Sequence, residues 1–184
     1  MVGISGKEEL GRSMVEMLGV LAIVGVLSIG GISGYSKAMA KHKVNKTLDQ
    51  VSMLVTNIHS TYGIQNSYAG LDNKAAITGE IADLDMSHGT SKLSSPYGAD
   101  VTIQAVDDGL SFTITYNKIP KGACASLTSS NWGEAASGLV SIKIGEKEHV
   151  WSSNDETLKL PITFGIAALH CSSDNDNTIV WKYH

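Results

Sequence analysis

The first third of the chain is a long apolar run followed by an amphipathic stretch. Residues 17–36 are twenty consecutive positions without a charge. A helix rises about 1.5 Å per residue, so this run spans about 30 Å, the thickness of the hydrocarbon core of a membrane. It is longer than the 7–15-residue hydrophobic region of a secretory signal peptide and lacks a small-residue cleavage site at its far end. The pattern therefore predicts a membrane-spanning helix that stays with the mature protein.

After Tyr35 the apolar residues form one stripe at alternating steps of four and three. Its members are Val44, Leu48, Val51, Val55, Ile58 and Tyr62. This spacing places them on one face of a helix. We expect the helix to run unbroken from about Ser13 to Tyr62 and to end at Gly63, because glycine favours the C-terminal cap. An isolated coiled coil shows the same stripe, but only about three heptads are present, which favours packing onto a head domain.

Alternating apolar and polar residues in the second half predict a β-rich head. Residues 63–100 have no clean period. A hairpin is predicted around the turn Asp107-Asp108-Gly109, with Leu110, Phe112, Ile114 and Tyr116 facing the core. Further strands are predicted at Leu139–Ile144, His149–Trp151 and Thr178–Tyr183. The expected fold class is therefore α+β, with a long N-terminal helix packed on an antiparallel sheet.

The composition and charge of the chain do not resemble those of a nucleic-acid-binding protein. Charged residues make up 17% of the chain, the net charge is −4 and the pI is about 5.8. Soluble domains usually carry about 25% charged residues, and a basic balance is typical of proteins that bind nucleic acid. Nothing in the charge balance therefore indicates a nucleic-acid partner.

The two cysteines, Cys124 and Cys171, lie far apart in the second half. They match none of the short spacings of zinc sites. A pair of cysteines that follows a membrane segment is typical of one disulfide in an oxidising compartment. Two unrelated buried thiols in a reduced protein are the alternative.

Glu16 and several glycines distinguish the apolar helix from a simple anchor. Insertion of a charged carboxylate costs up to about 3 kcal/mol of free energy at the membrane centre and less near the interface. A carboxylate next to a membrane-spanning run therefore usually has a partner or a function. Glu16 either has a functional role, or lies at the headgroup level or pairs with Arg12 one turn earlier. Gly30 and Gly34 form a G-x-x-x-G, which lets helices approach closely, although glycine is common in membrane helices generally.

The segment Gly11-Arg12-Ser13-Met14-Val15-Glu16-Met17-Leu18 resembles the processing site of type IV pilin precursors. The resemblance implies a leader at residues 1–11, removed after Gly11 by a prepilin peptidase, and N-methylation of Arg12. It also implies that Glu16, fifth in the mature chain, attracts the Arg12 amine of the adjacent protomer during filament assembly. Two features depart from the family pattern: Arg12 stands where an apolar residue is usual, and the leader carries acidic Glu8 and Glu9.

The resemblance implies four segments with separate roles. Residues 1–11 are the leader, 12–36 the transmembrane and assembly half of the helix, 37–62 its amphipathic half, and 63–184 the globular head. The residues Pro96-Tyr97-Gly98 and Cys124-Ala125-Ser126-Leu127 are similar to the type IVb pattern, in which a C-terminal disulfide, here Cys124–Cys171, closes a long surface region. Such a closure stabilises a fold by about 4 kcal/mol on the chain-entropy account.

The implied location changes during assembly. The subunit is expected to cross the bacterial inner membrane once, in contact with lipid, and then to enter an extracellular homopolymeric pilus through the inner-membrane assembly machinery. Lys37, Lys41, Lys43 and Lys46 follow the span, whereas Lys7 and Arg12 precede it, so a positive-inside count alone would place the head in the cytoplasm. The Gly–Glu signature and the cysteine pair favour the opposite topology.

No catalytic, cofactor or metal site is predicted. The six histidines are scattered along the sequence. His170, beside Cys171, suggests a ligand or a thiol-activating base only if that cysteine is free. Residues 174–178 place oxygen ligands at alternate positions, but they lack the glycine and distal glutamate of a calcium loop, so a solvated turn is favoured.

Two alternative functions remain open from the sequence. One is a minor pilin or a pseudopilin of a type II secretion system. The other is a single-pass inner-membrane protein with a periplasmic binding domain. The sequence does not specify whether the head contacts a host surface or DNA.

Overall fold

The computed structural model describes residues 7–133 and 137–184, with side chains from Met14 onward. Helix α1 is continuous from Lys7 to Tyr62. The predicted helix is therefore confirmed, and it begins six residues before the expected start at Ser13. It ends where predicted: the Gly63 N–H donates to the His59 carbonyl oxygen at 2.9 Å, and an added Cβ at Gly63 would lie 2.5 Å from that oxygen. The proposed leader residue Gly11 and Arg12 lie within α1, and their side chains are outside the described residues.

The chain divides into two compact units, residues 1–41 and 42–184. In the first unit, every described side chain is exposed. The second unit contains the second half of α1, the sheet and the hydrophobic core.

The head is built on a seven-stranded antiparallel sheet. Its strands are β1 Ser87–His88, β2 Lys92–Ser94, β3 Asp100–Val106, β4 Ser111–Ile119, β5 Leu139–Ile144, β6 Lys147–Val150 and β7 Asn177–Tyr183. Their order is β1-β2-β3-β4-β7-β5-β6, so β7 lies between β4 and β5. Three short helices complete the head: α2 Asn73–Thr78, α3 Lys121–Thr128 and α4 Phe164–His170.

The predicted hairpin is confirmed as β3 and β4, with Ile103 opposite Ile114. Asp107, Asp108 and Gly109 all have positive φ, the left-handed conformation that a tight turn of this kind requires. The expectation that Leu110 faces the core is wrong, because its side chain is 69% exposed. The alternating pattern begins only after the turn, so Leu110 belongs to the turn rather than to β4.

Residues 63–100 contain short elements that explain why no period was visible. Helix α2 has six residues and strands β1 and β2 have two and three. Each of these elements contains fewer than two repeats of its pattern, which is too few for a period to be recognised. The Asp72 carboxylate caps α2 by accepting from the Ala75 N–H at 2.7 Å.

The face of α1 that packs in the head is rotated from the predicted stripe. The most buried residues are Thr47, Val51, Leu54 and Ile58, at 0–1% exposure. Val44, Leu48, Val55 and Tyr62 are only partly buried and flank this face. The buried face includes polar Thr47 and Gln50, and a prediction based only on apolar residues therefore places its centre at the wrong angle around the helix.

The predicted disulfide is confirmed. It joins Cys124 in α3 to Cys171, directly after α4, with both residues fully buried. The bond ties together the ends of the segment that contains β5, β6 and α4.

Candidate assembly site and head surfaces

The first unit presents an apolar helix surface that the chain itself does not cover. An 18-residue stretch of α1 reaches a mean hydropathy of 2.2 with no residue buried, so by length and composition it is apolar enough to cross a membrane. Its large apolar side chains are more than half exposed: Met14, Val15, Met17, Leu18, Val20, Leu21, Ile23, Val24, Val26, Leu27, Ile29 and Ile32. A continuous exposed apolar surface of this size marks contact with a membrane or with another chain.

Glu16 is the carboxylate at the leading end of this surface. Its side chain is exposed between Val15 and Met17, which are 69% and 64% exposed. The predicted pairing with Arg12, in the same chain or in a neighbour, lies outside the described side chains. The role of Glu16 in assembly therefore stays a prediction.

Two serine hydroxyls inside the apolar run are satisfied locally. The Ser28 hydroxyl donates to the Val24 carbonyl oxygen at 2.7 Å, and the Ser36 hydroxyl donates to the Ile32 carbonyl oxygen at 2.9 Å. Such bonds to the preceding turn let a hydroxyl enter an apolar environment without a lost hydrogen bond.

The helix remains unbroken through its glycines. No atom lies within 4 Å of a Cβ placed at Gly30 or Gly34. Contacts within the described chain therefore do not require these glycines. The open space leaves room for a neighbouring helix to approach closely.

The second half of α1 meets the sheet through a buried polar contact. The Tyr116 hydroxyl donates to Gln50 Oε1 at 3.4 Å, and both side chains are buried. Burial raises the pKa of Tyr116 far above its usual value, so the hydroxyl stays protonated and remains a donor. The contact links α1 to β4 across 66 residues of sequence.

Two of the histidines that are scattered along the sequence meet in the fold. His149 in β6 and His170 at the end of α4 lie with Nε2 and Nδ1 3.0 Å apart. His149 is fully buried and its Nδ1 has no hydrogen-bond partner. Desolvation, with a smaller contribution from the charge of His170, lowers the pKa of His149 to about 4. The contact joins β6 to the residue immediately before Cys171, so it braces the segment closed by the disulfide.

Residues 173–176 form a bend before β7 that is held together by Asn177, the first residue of that strand. The Asn177 amide nitrogen donates to the carbonyl oxygens of Ile119 at 2.9 Å and Ser173 at 2.5 Å. Its side-chain oxygen accepts from the Ser173 N–H at 3.0 Å. Residues 174–176 are exposed, as expected of a solvated turn, whereas Asn177 is buried and uses its amide for the fold. Within the described residues, no group of three or more His, Cys, Asp and Glu side chains is placed to hold a metal ion.

Sequence reasoning missed two apolar surfaces on the head. One is a groove of about 330 Å³ lined by Met53, Ile77 and Leu84. The other is the outer face of α4, where Phe164 and Leu169 are 60% and 77% exposed. Such surfaces are recognised by large apolar side chains that remain exposed in the folded chain. The sequence alone does not show which apolar side chains these are.

Comparison with known proteins assigns the family. The profile of the PilS family, described as PilS N terminal, matches residues 41–184, which corresponds closely to the second compact unit. The chain belongs to the type IVb pilin family. It is therefore a structural subunit of a pilus rather than an enzyme, which confirms the function expected from the processing motif and implies a location in a surface pilus.

Three relatives illustrate the relationship. The pilin is 27% identical over 183 residues to the major structural subunit of bundle-forming pilus from Escherichia coli O111:H-, covering 95% of this chain and 94% of the relative. The crystal structure of TcpA, a type IV pilin from Vibrio cholerae El Tor biotype, has a TM-score of 0.50 at 13% identity over 78% of this chain and 99% of that chain. The NMR structure of the type IVb pilin PilS from Salmonella typhi has a TM-score of 0.48 at 25% identity, covering 76% of this chain and 95% of that chain. The likeness to TcpA supports the pilin fold.

Proposed function

We propose that this pilin is a major subunit that polymerises through the apolar half of α1 after cleavage behind Gly11. The observation that carries the proposal is the carboxylate of Glu16 at the end of an otherwise apolar helix surface whose large side chains are more than half exposed. The match to a relative described as a major structural subunit, over 95% of this chain, favours a major over a minor pilin or a pseudopilin.

In this proposal, processing and assembly are coupled through charge. Removal of residues 1–11 by a prepilin peptidase creates a new amine on Arg12. Two opposite charges attract strongly when neighbouring apolar helices exclude water, because the effective dielectric is then low. The Glu16 carboxylate of one subunit attracts the Arg12 amine of the next and sets the axial stagger between them.

The membrane holds the subunit before assembly. Residues 17–36 span the inner membrane, with the head on its outer side, and the assembly machinery draws the helix out into the filament core. The same apolar surface then packs against other copies, so it exchanges lipid for protein without entering water.

The decisive experiment compares filament yield for Glu16→Gln with the matched variant Asp49→Asn. Both remove one exposed carboxylate from α1. We expect Glu16→Gln to insert and fold normally but to lose at least tenfold in sheared filaments, and Asp49→Asn to assemble within twofold of wild type. Normal assembly of Glu16→Gln would contradict the proposed pairing.

Mass analysis of the same filaments tests the processing step. Mature subunits should begin at Arg12 and carry one additional methyl group. An intact N-terminus at Met1 in assembled filaments would contradict cleavage after Gly11.

A further inference from the structure

The four lysines that follow the apolar run do not share one environment. Lys46 Nζ forms an ion pair with Asp85 Oδ2 at 3.1 Å, and Lys43 Nζ lies 5.8 Å from the centre of the Tyr97 ring. For Lys37 and Lys41, by contrast, the described part of the chain records no ion pair and no cation–π contact, and both side chains are exposed. The head thus engages two lysines and leaves two available to an outside partner.

Lys37 and Lys41 form a local concentration of positive charge on the helix. They are four residues apart in α1, so they lie on one face. No carboxylate occurs in the sequence between Glu16 and Asp49 to neutralise them. The partner that this face fits therefore carries negative charge.

The length of the apolar run places these lysines at the membrane interface that follows the span. Lys37 is the first charged residue after Glu16, and the twenty uncharged residues between them span about 30 Å as a helix. Tyr35, exposed by 67%, stands just before them, and aromatic residues of this kind concentrate at the membrane interface. Long lysine side chains reach from such a position toward the headgroup layer.

We propose that Lys37 and Lys41 form a binding site for the phosphate groups of anionic glycerophospholipids in the leaflet on the head side of the membrane. This inference rests on the proposed function, because it requires residues 17–36 to span the membrane before assembly. The ammonium groups bind phosphate as point charges. Such contacts hold the head at the surface but break readily when the subunit is extracted, because they are exposed to solvent and screened by salt.

The test is native mass spectrometry of the purified full-length pilin in an uncharged detergent, titrated with phosphatidylglycerol or with neutral phosphatidylcholine. Basic residues near a charged membrane surface contribute about fivefold each to binding, so Lys37→Gln/Lys41→Gln should bind phosphatidylglycerol about thirtyfold more weakly. The matched control Lys43→Gln/Lys46→Gln removes the same charge from residues that the head engages. It should bind within about twofold of wild type.

Three outcomes overturn the inference. The first is equal binding of the two lipids by wild type. The second is phosphatidylglycerol binding that is unchanged in Lys37→Gln/Lys41→Gln. The third is complete displacement of the lipid by millimolar inorganic phosphate, which would indicate a site for the free ion.

Filament assays separate this inference from the proposed function. If Lys37→Gln/Lys41→Gln retains lipid but loses filaments, the two lysines contact carboxylates of a neighbouring subunit, and the lipid site is wrong. If the variant loses neither lipid nor filaments, the lipid site alone is wrong. If wild-type protein is released from membranes by alkaline carbonate, the spanning helix and hence the proposed function are wrong.

Discussion

The two halves of α1 follow opposite rules although they form one continuous helix. From Met14 to Tyr35 the large apolar side chains are all more than half exposed, whereas Val51, Leu54 and Ile58 are almost completely buried in the head. The apolar side chains of the first half must therefore be covered by other molecules. The second half is specified by contacts within its own chain. Substitutions in the two halves should accordingly affect different measurements.

All three tryptophans of the chain, Trp132, Trp151 and Trp181, lie in the head, so tryptophan fluorescence reports on head unfolding alone. Filament yield reports on the first half of the helix. These two measurements make the comparison testable.

The largest effect is expected from loss of the disulfide. Cys124→Ala/Cys171→Ala opens a closure of 47 residues and should lower the free energy of head unfolding by about 4 kcal/mol. Denaturant titration followed by tryptophan fluorescence measures this loss. Membrane insertion should be unchanged, because residues 17–36 take no part in the closure. A double variant as stable as wild type would contradict the bracing role of the bond.

A matched pair of leucines tests the contrast directly. Leu54→Ala removes a side chain that is 1% exposed and should destabilise the head by about 3 kcal/mol. Leu27→Ala removes the same atoms from a site that is 69% exposed and should leave head stability unchanged. The same fluorescence titration on both full-length variants measures the difference. Equal effects would show that the two halves are not independent.

The third effect is a pH dependence confined to the head, which reaches its full size only in acid. The pKa of His149 is lowered to about 4 in the folded state, against about 6.5 when exposed. Above pH 6.5 the histidine is neutral in both states. Between pH 6.5 and about 4 only the unfolded state gains the proton, so stability falls across this window by up to about 3 kcal/mol.

Two histidine variants identify the source of this pH dependence. His149→Gln should flatten the stability profile between pH 6.5 and 4, whatever its stability at neutral pH. The control His88→Gln changes an exposed histidine of β1 and should leave the slope intact. An unchanged slope in His149→Gln would contradict the role of the buried imidazole.

The features that sequence predicted are those set by local pattern. The span, the end of α1 at Gly63 and the hairpin around residues 107–109 each depend on neighbours within a few turns or a single reversal of the chain. The disulfide could be predicted because the chain has only two cysteines, which leaves one possible pair.

The features that sequence could not predict depend on distant partners. His149 contacts His170 because β6 and α4 lie next to each other in the fold. Gln50 is buried against the sheet, where the Tyr116 hydroxyl of β4 donates to its side-chain oxygen. The rotated face of α1 has the same origin, since a polar residue is buried when a partner from another element satisfies it. The placement of β7 between β4 and β5 likewise leaves no signal in the alternation of residues 177–183.

The central position of β7 also orders the events of biosynthesis. Polypeptides emerge from the ribosome N-terminus first, so β4 and β5 are made before the strand that lies between them. Until residues 177–183 appear, β4 lacks its neighbour on one side and β5 lacks its neighbour on the other. Unpaired edges of this kind invite pairing with other chains. Of the seven strands in the described sheet, β7 is therefore the last to be made, and β4 and β5 become joined only when residues 177–183 pair with both of them.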